Sequence, residues 1–367
     1  MMEAKKPNFI YYIQKNLFES LKLPFISITL GLIVGGIIIA LSGGNPFAAI
    51  KGLIIGGFGT KHAITATLTR ATPIIFAGLS AALAWGSGYP SMGVSGQMIL
   101  GAFTAAIAAV SFTGPKILVI VVSLSAGMLA GIIYSLIAAY ISAKFEVYLL
   151  IVTLMMNYIA ENIASYLTTY DFRDPLAADR LAVQTQKITD GVLPRIMPKY
   201  TLHYGFIIAV VCTLLVLFMM KRTSFGYKAK MSGLNPRFAD YGGINSLKTM
   251  YLILMISGAL AGLGGACESL GTRFRYIDGM ITSAGYAWSG IIASLMSSNH
   301  PIGVFISSVF LAGLTTGGAS IELRQGIPSE ITAIIQGVLT MFVTAKLVID
   351  LRIGRFRTKK EGGTDAI

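Results

Sequence analysis

Asn157 and Glu161 stand four residues apart inside an apolar run over 147–170. At helical spacing they share one face, with Tyr158 and Asn162 on the neighbouring stripe. An ionisable group inside an apolar helix is costly unless it faces a cavity or a partner. An amide and a carboxylate one turn apart suit a solute carrying hydroxyls and amide edges, so this face reads as the wall of a polar path. The alternative is a structural hydrogen bond to another helix. Gln97 follows a break, Gly93-Val94-Ser95-Gly96. Irregular backbone at membrane depth is tolerated only where it is buried in protein or lines water, which makes 88–97 a second path candidate; the alternative is a plain extramembrane turn. Trp85, Tyr286 and Trp288 complete the set as aromatic surfaces near the ends of apolar runs, where interfacial belts also collect such residues.

Other chemistries find no support. His62, His203 and His300 are scattered without ligand spacing, and Cys212 and Cys267 both sit inside apolar runs, so neither a metal site nor a disulfide framework is expected. The chain has no Gly-x-x-x-x-Gly-Lys-Ser/Thr loop, no Gly-x-Ser-x-Gly and no His-Glu-x-x-His. No catalytic residue and no bound cofactor is therefore expected. The net charge of +13 is spread over residues that flank apolar runs, which follows the positive-inside rule and argues against nucleic acid as a partner.

These residues need membrane helices to hold them. Of 367 residues 54% are hydrophobic and 12% charged, about half the charged share of a soluble domain. Runs free of Asp, Glu, Lys and Arg cover 23–50, 71–115, 117–143, 249–267 and 279–321. About 20 residues cross the hydrocarbon core, so the second and last of these runs hold two spans each. Their breakers are Gly88-Tyr89-Pro90-Ser91 and Ser298-Asn299-His300-Pro301. Adding 147–170, 204–220 and 331–351 gives about ten spans in an all-α membrane protein, with lipid as its surroundings. The first run reads as a span rather than a cleaved leader, since no small-residue cleavage site follows it. The segment 46–70, with Lys51, Lys61 and Arg70, reads as a surface or re-entrant helix.

With the N-terminus inside, the cytoplasmic segments carry 17 basic and 7 acidic residues against 12 and 9 outside. That asymmetry favours N-in and C-in. Residues 1–351 form one transmembrane domain and 352–367 a cytoplasmic tail. The runs 77–82 and 257–262 are similar, each preceding a Gly-rich break, and the topology opposes their directions. Opposed copies suggest an inverted repeat with substrate between the halves.

The loop 221–248 is basic and internal. Within it Asn235 can cap a short helix, Pro236 can open it, and Gly242-Gly243 can close it. Such a helix is a docking element for a partner protein.

The loop pattern Gly226, Gly233, Asn235-Pro236, Ala239, Tyr241, Gly243-Ile244-Asn245 resembles the coupling loop of ATP-binding-cassette importer permeases, in the branch for ribose, branched-chain amino acids and nucleosides, and Gly233, Asn235, Pro236, Asp240, Tyr241 and Gly242 are the expected ATPase-coupling residues. The stretches 71–85 and 91–103 resemble that branch's second and third helices, and Thr153-Leu154-Met155-Met156-Asn157-Tyr158-Ile159-Ala160 is similar to a helix of its nucleoside permeases. Gly326-Ile327-Pro328-Ser329 and Ile335-Gln336-Gly337 also fit. Ser95 departs from the Glu usual in the family, so no role for that acid carries over. The resemblance implies an inner-membrane importer permease for nucleosides. Its partners would be an ATPase subunit that binds the ATP, a second permease, identical or homologous, and an extracellular substrate-binding lipoprotein. A ribose or branched-chain amino acid permease is the nearest alternative. A secondary transporter would show paired ionisable groups in several spans, and an intramembrane enzyme would need a nucleophile–base or metal constellation.

Overall fold

A computed structural model describes residues 46–175 and 183–325, with a few isolated positions in 33–40 and 334–337. The part of the expected span 23–50 that precedes Pro46, the expected span 331–351, the motifs at 326–329 and 335–337, and the tail 352–367 lie outside the described residues apart from those positions.

The described chain is helical, with two isolated β-bridges, Gln184 to Ile277 and Arg195 to His203, as its only extended pairing. The helices are α1 (Pro46–Phe58), α2 (Lys61–Gly86), α3 (Val94–Ser111), α4 (Lys116–Phe145), α5 (Leu149–Tyr170), α6 (Gly205–Arg222), α7 (Ser224–Leu234), α8 (Pro236–Tyr241), α9 (Ser246–Glu268), α10 (Met280–Ala284), α11 (Tyr286–Met296) and α12 (Pro301–Gln325). A π turn, Ser269–Arg273, extends α9. Seven of the described helices (α2, α3, α4, α5, α6, α9 with its π turn, and α12) are long and apolar enough to cross a membrane.

Both expected breaks fall where their turn residues stand. Gly88 takes φ +78°, and Ser298 and Asn299 take φ +50° and +62°. Two elements differ from expectation. The span expected over 279–298 is divided at Gly285, whose φ of +66° ends α10 and starts α11. The 11 residues of α11 rise only about 17 Å at 1.5 Å per residue. The segment 46–70 is likewise not one helix: α1 ends at Phe58, Thr60 caps the next helix by accepting the Ala63 N–H at 3.1 Å, and α2 begins at Lys61. Arg70 therefore lies within α2, half-buried. A charge-free run underestimates this helix because its first ten residues carry Lys61 and Arg70.

Small residues let these helices touch. α2 crosses α9 antiparallel at Ser80 and Ser257, whose hydroxyl oxygens are 2.9 Å apart. The end of α2 packs beside Met250 and Tyr251 at the start of α9, while Gly264 faces Phe76. α3 packs on α9 through Gly101 against Gly262, and α11 packs on α2 through Gly290 against Ala77 and Gly78. With no hydrophobic drive between helices in lipid, backbone approach of this kind carries much of the association.

Candidate coupling surface and substrate path

Asn235 accepts the Phe238 N–H at 3.1 Å and so caps α8 with Pro236 in its first turn. Gly242 ends α8, and Gly243 follows at φ +77°. The loop holds more order than this one short helix, since α7 precedes it. Asp240 accepts the Ser246 N–H at 2.9 Å, and the Ser246 hydroxyl donates to the Pro236 carbonyl at 2.9 Å. Asp240 thus ties α8 to the start of α9. Tyr241 is 94% exposed, and Tyr227, Leu234 and Phe238 are also exposed, beside the exposed Lys228, Lys230 and Arg237. A short segment carrying that much open aromatic and basic surface suits a protein partner.

Gly233 packs backbone against backbone on the turn between α2 and α3. An ideal Cβ there would run into the Ser87 carbonyl oxygen. Beside it the Tyr89 hydroxyl sits 2.5 Å from Ser232 Oγ and donates to the Ser246 carbonyl at 3.3 Å. Burial raises the Tyr89 hydroxyl above the usual phenol range; the Ser232 hydrogen bond opposes this and nearby Asp240 adds to it. Trp85 Nε1 donates to the Ser91 carbonyl at 2.9 Å across the same turn. Half-buried Trp85 is therefore a brace of the break.

The face of α5 with Asn157 points at this turn. Thr153 Oγ1 accepts the Met92 N–H at 3.0 Å, Asn157 Nδ2 donates to the Met92 carbonyl at 2.8 Å, and Asn157 Oδ1 accepts the Gly96 N–H at 2.9 Å. One amide side chain satisfies a donor and an acceptor of an irregular segment. Gln97, in the first turn of α3, is buried and its Oε1 has no partner among the described residues. Further along the same face, Glu161 is half-buried near Tyr276, and Ser165 donates to Asp278 at 2.9 Å. The next stripe is open: Tyr158 is 61% exposed, and Asn162 and Tyr166 are exposed with it.

A second polar cluster forms at the other end of the bundle. Glu268 is 1% exposed. Its Oε1 accepts the Tyr286 hydroxyl at 3.0 Å and lies 3.6 Å from Arg273 Nε, while Oε2 is buried without a partner among the described residues. Tyr286 is accordingly buried, whereas Trp288, two residues on, is 52% exposed. His203 is buried beside the π turn; its Nδ1 accepts the Gly205 N–H at 3.1 Å and its Nε2 is 3.4 Å from Thr272 Oγ1. Burial pushes its pKa down to about 4. Among the described residues no group of His, Cys, Asp and Glu is placed to hold a metal ion.

Residues 63–344 match the family described as branched-chain amino acid transport system, permease component. The chain belongs to this family. It is a multi-pass cell-membrane permease. Among its relatives, the guanosine ABC transporter permease protein NupP of Bacillus subtilis is 30% identical over 92% of this chain and 97% of its own length. The nucleoside ABC transporter permease protein NupB of Lactococcus lactis is 28% identical over 92% and 96%. The glucose ABC transporter permease protein TsgB13 of Haloferax volcanii is 27% identical over 90% and 89%. No solved structure matches.

The permease's expected site residues thus fall into separate groups. Gly233, Asn235, Pro236, Asp240, Tyr241 and Gly242 share one end of the bundle with Trp85. Asn157 bonds the backbone at the α2–α3 turn, and Gln97 is buried in the first turn of α3 next to Gly96. Tyr286 belongs to the far cluster around Glu268, while Trp288, two residues on, is open. Glu268 itself was missed, because the charge-free run stops at Cys267 while α9 continues through it. Its spacing of five from Arg273, the repeat of a π turn, was the available signal.

Proposed function

We propose that this chain is the permease subunit of an ATP-binding-cassette importer that carries nucleosides into the cell. The supporting observation is that NupP and NupB, whose names specify guanosine and nucleosides, align over nine-tenths of the chain. In this reading the α7–α8 end and both termini face the cytoplasm. The exposed aromatic and basic surface of α7–α8 seats the partner ATPase, which binds and hydrolyses ATP; the permease needs no cofactor and performs no chemistry. A second permease completes the path, and an extracellular lipoprotein delivers the solute. The antiparallel α2–α9 crossing, with α3 on α9 and α11 on α2, is read as an inverted repeat that opens alternately to each side.

Solute contact is assigned to the open stripe of α5, Tyr158 and Asn162, with Glu161 at its edge. An exposed Asn in mid-helix is poorly placed against lipid and well placed against a watered path. Trp288 is the corresponding open aromatic on α11. Uptake of labelled guanosine, uridine, glucose and leucine by cells expressing the complete importer tests the assignment. Guanosine and uridine uptake that each competes with the other is the expected result. Glucose uptake without nucleoside uptake supports instead a sugar permease, the reading favoured by the resemblance to TsgB13.

A further inference from the structure

We propose that the turn 87–96 is a relay that passes displacement of the coupling loop to α5, with Tyr89 as its input and Thr153 and Asn157 as its receivers. The proposal rests on the importer reading above.

The input side has no slack. Gly233 and Gly88 are in backbone contact: an ideal Cβ on Gly88 would lie 2.5 Å from Gly233 Cα. Gly88 also holds φ +78°, a conformation that glycine adopts without strain. Tyr89 adds direction to this contact. Its hydroxyl bridges Ser232 at the end of α7 and Ser246 at the start of α9. Ser246 is in turn held to α8 by Asp240 and the Pro236 carbonyl. A shift of α8 relative to the bundle therefore acts on both partners of the Tyr89 hydroxyl.

The output side is a set of backbone bonds. Thr153 holds the Met92 N–H, and Asn157 holds the Met92 carbonyl and the Gly96 N–H. Between input and output, Trp85 binds the Ser91 carbonyl and keeps the turn from folding on itself. α5 packs chiefly on α3 and α4 rather than on α7 or α8. The turn is thus its polar connection to the loop. Close-packed elements joined by fixed hydrogen bonds move as units, so the stripe of α5 carrying Tyr158 and Asn162 follows the turn. This assigns Asn157 a positioning role rather than solute contact.

The test measures nucleoside moved per ATP hydrolysed in proteoliposomes, using the importer complex purified through a tag on this chain. Tyr89→Phe and Thr153→Val each remove one hydroxyl and keep the shape. Each is expected to lower the ratio about two- to tenfold, the scale of one lost hydrogen bond, with ATPase association and membrane level unchanged. Thr153→Ser restores the acceptor and is expected to keep the native ratio. Native ratios in both hydroxyl-less variants overturn the relay. So does reduced protein amount or ATPase association with a native ratio in what remains, since that is the mark of a purely structural bond. A wild-type complex that hydrolyses ATP but moves none of guanosine, uridine, glucose or leucine overturns the importer reading and the relay with it.

Discussion

At residue 233 the smallest side chain would collide with the Ser87 carbonyl, a backbone atom that cannot swing aside. Gly233→Ala is therefore expected to destabilise the protein by about 1–3 kcal/mol, the usual cost of overpacking. A lower melting temperature of the purified permease checks this, together with reduced ATPase association as the loop is pushed off the turn. His203 sets a pH dependence. Its Nδ1 accepts a backbone N–H, which a doubly protonated ring cannot do. Its folded pKa of about 4 lies below the ordinary value of 6.5, so below 6.5 the unfolded chain takes up a proton that the folded chain refuses. Stability is then full above pH 6.5 and falls as pH drops toward 4, at up to about 1.4 kcal/mol per unit. Melting temperatures of wild type and His203→Gln should diverge in slope across this window, the variant being the flatter.

Helix α5 carries two different polar stripes one residue apart. The stripe of Thr153, Asn157 and Ser165 is spent on the α2–α3 turn and on Asp278. The stripe of Tyr158, Asn162 and Tyr166 is open. Asn157→Leu takes away the partner of the Gly96 N–H and of the Met92 carbonyl, two part-buried backbone groups, at about 1–3 kcal/mol in total, so it should lower the melting temperature as well as uptake. Asn162→Leu removes a side chain whose only bond among the described residues is to the Tyr158 carbonyl of its own helix. It should lower uptake severalfold at native membrane level and melting temperature. Native uptake in a well-expressed Asn162→Leu variant removes the open stripe from the path. The short helix α8 was legible beforehand because its Asn cap, Pro start and Gly stop act within a few residues. The partner of Asn157 was not, because it lies 65 positions back in the chain and helical spacing specifies a face without naming its neighbour.

For the molecule as a whole, Asp190 and Ser224 lie beyond opposite ends of α6, an 18-residue apolar helix. They should fall on opposite sides of the membrane. Asp190→Cys is expected to react with an impermeant maleimide added to sealed cells, and Ser224→Cys only after permeabilisation. Both positions are exposed, whereas Thr185 in the same loop is 3% exposed and a poor labelling site. Labelling of Ser224→Cys from outside reverses the orientation and takes the α7–α8 surface away from any cytoplasmic ATPase.

Hydropathy, charge placement and turn residues by themselves determined that the chain is a bundle of membrane helices, where most of those helices begin and end, and which loop presents a capped helix. Those properties are set by residues close together in sequence, through burial of apolar length and local backbone preference. Tertiary structure decided what the polar residues do. It turned Asn157 toward the Met92–Gly96 backbone, buried Glu268 against Tyr286 and Arg273, and left Tyr158 and Asn162 open. It also split the segment after the π turn at Gly285, where a left-handed residue inside an apolar run leaves no trace in hydropathy. These outcomes depend on which helix faces are pressed together, and in this bundle that is set by glycine contacts between segments far apart in the chain, such as Gly101 with Gly262 and Gly88 with Gly233.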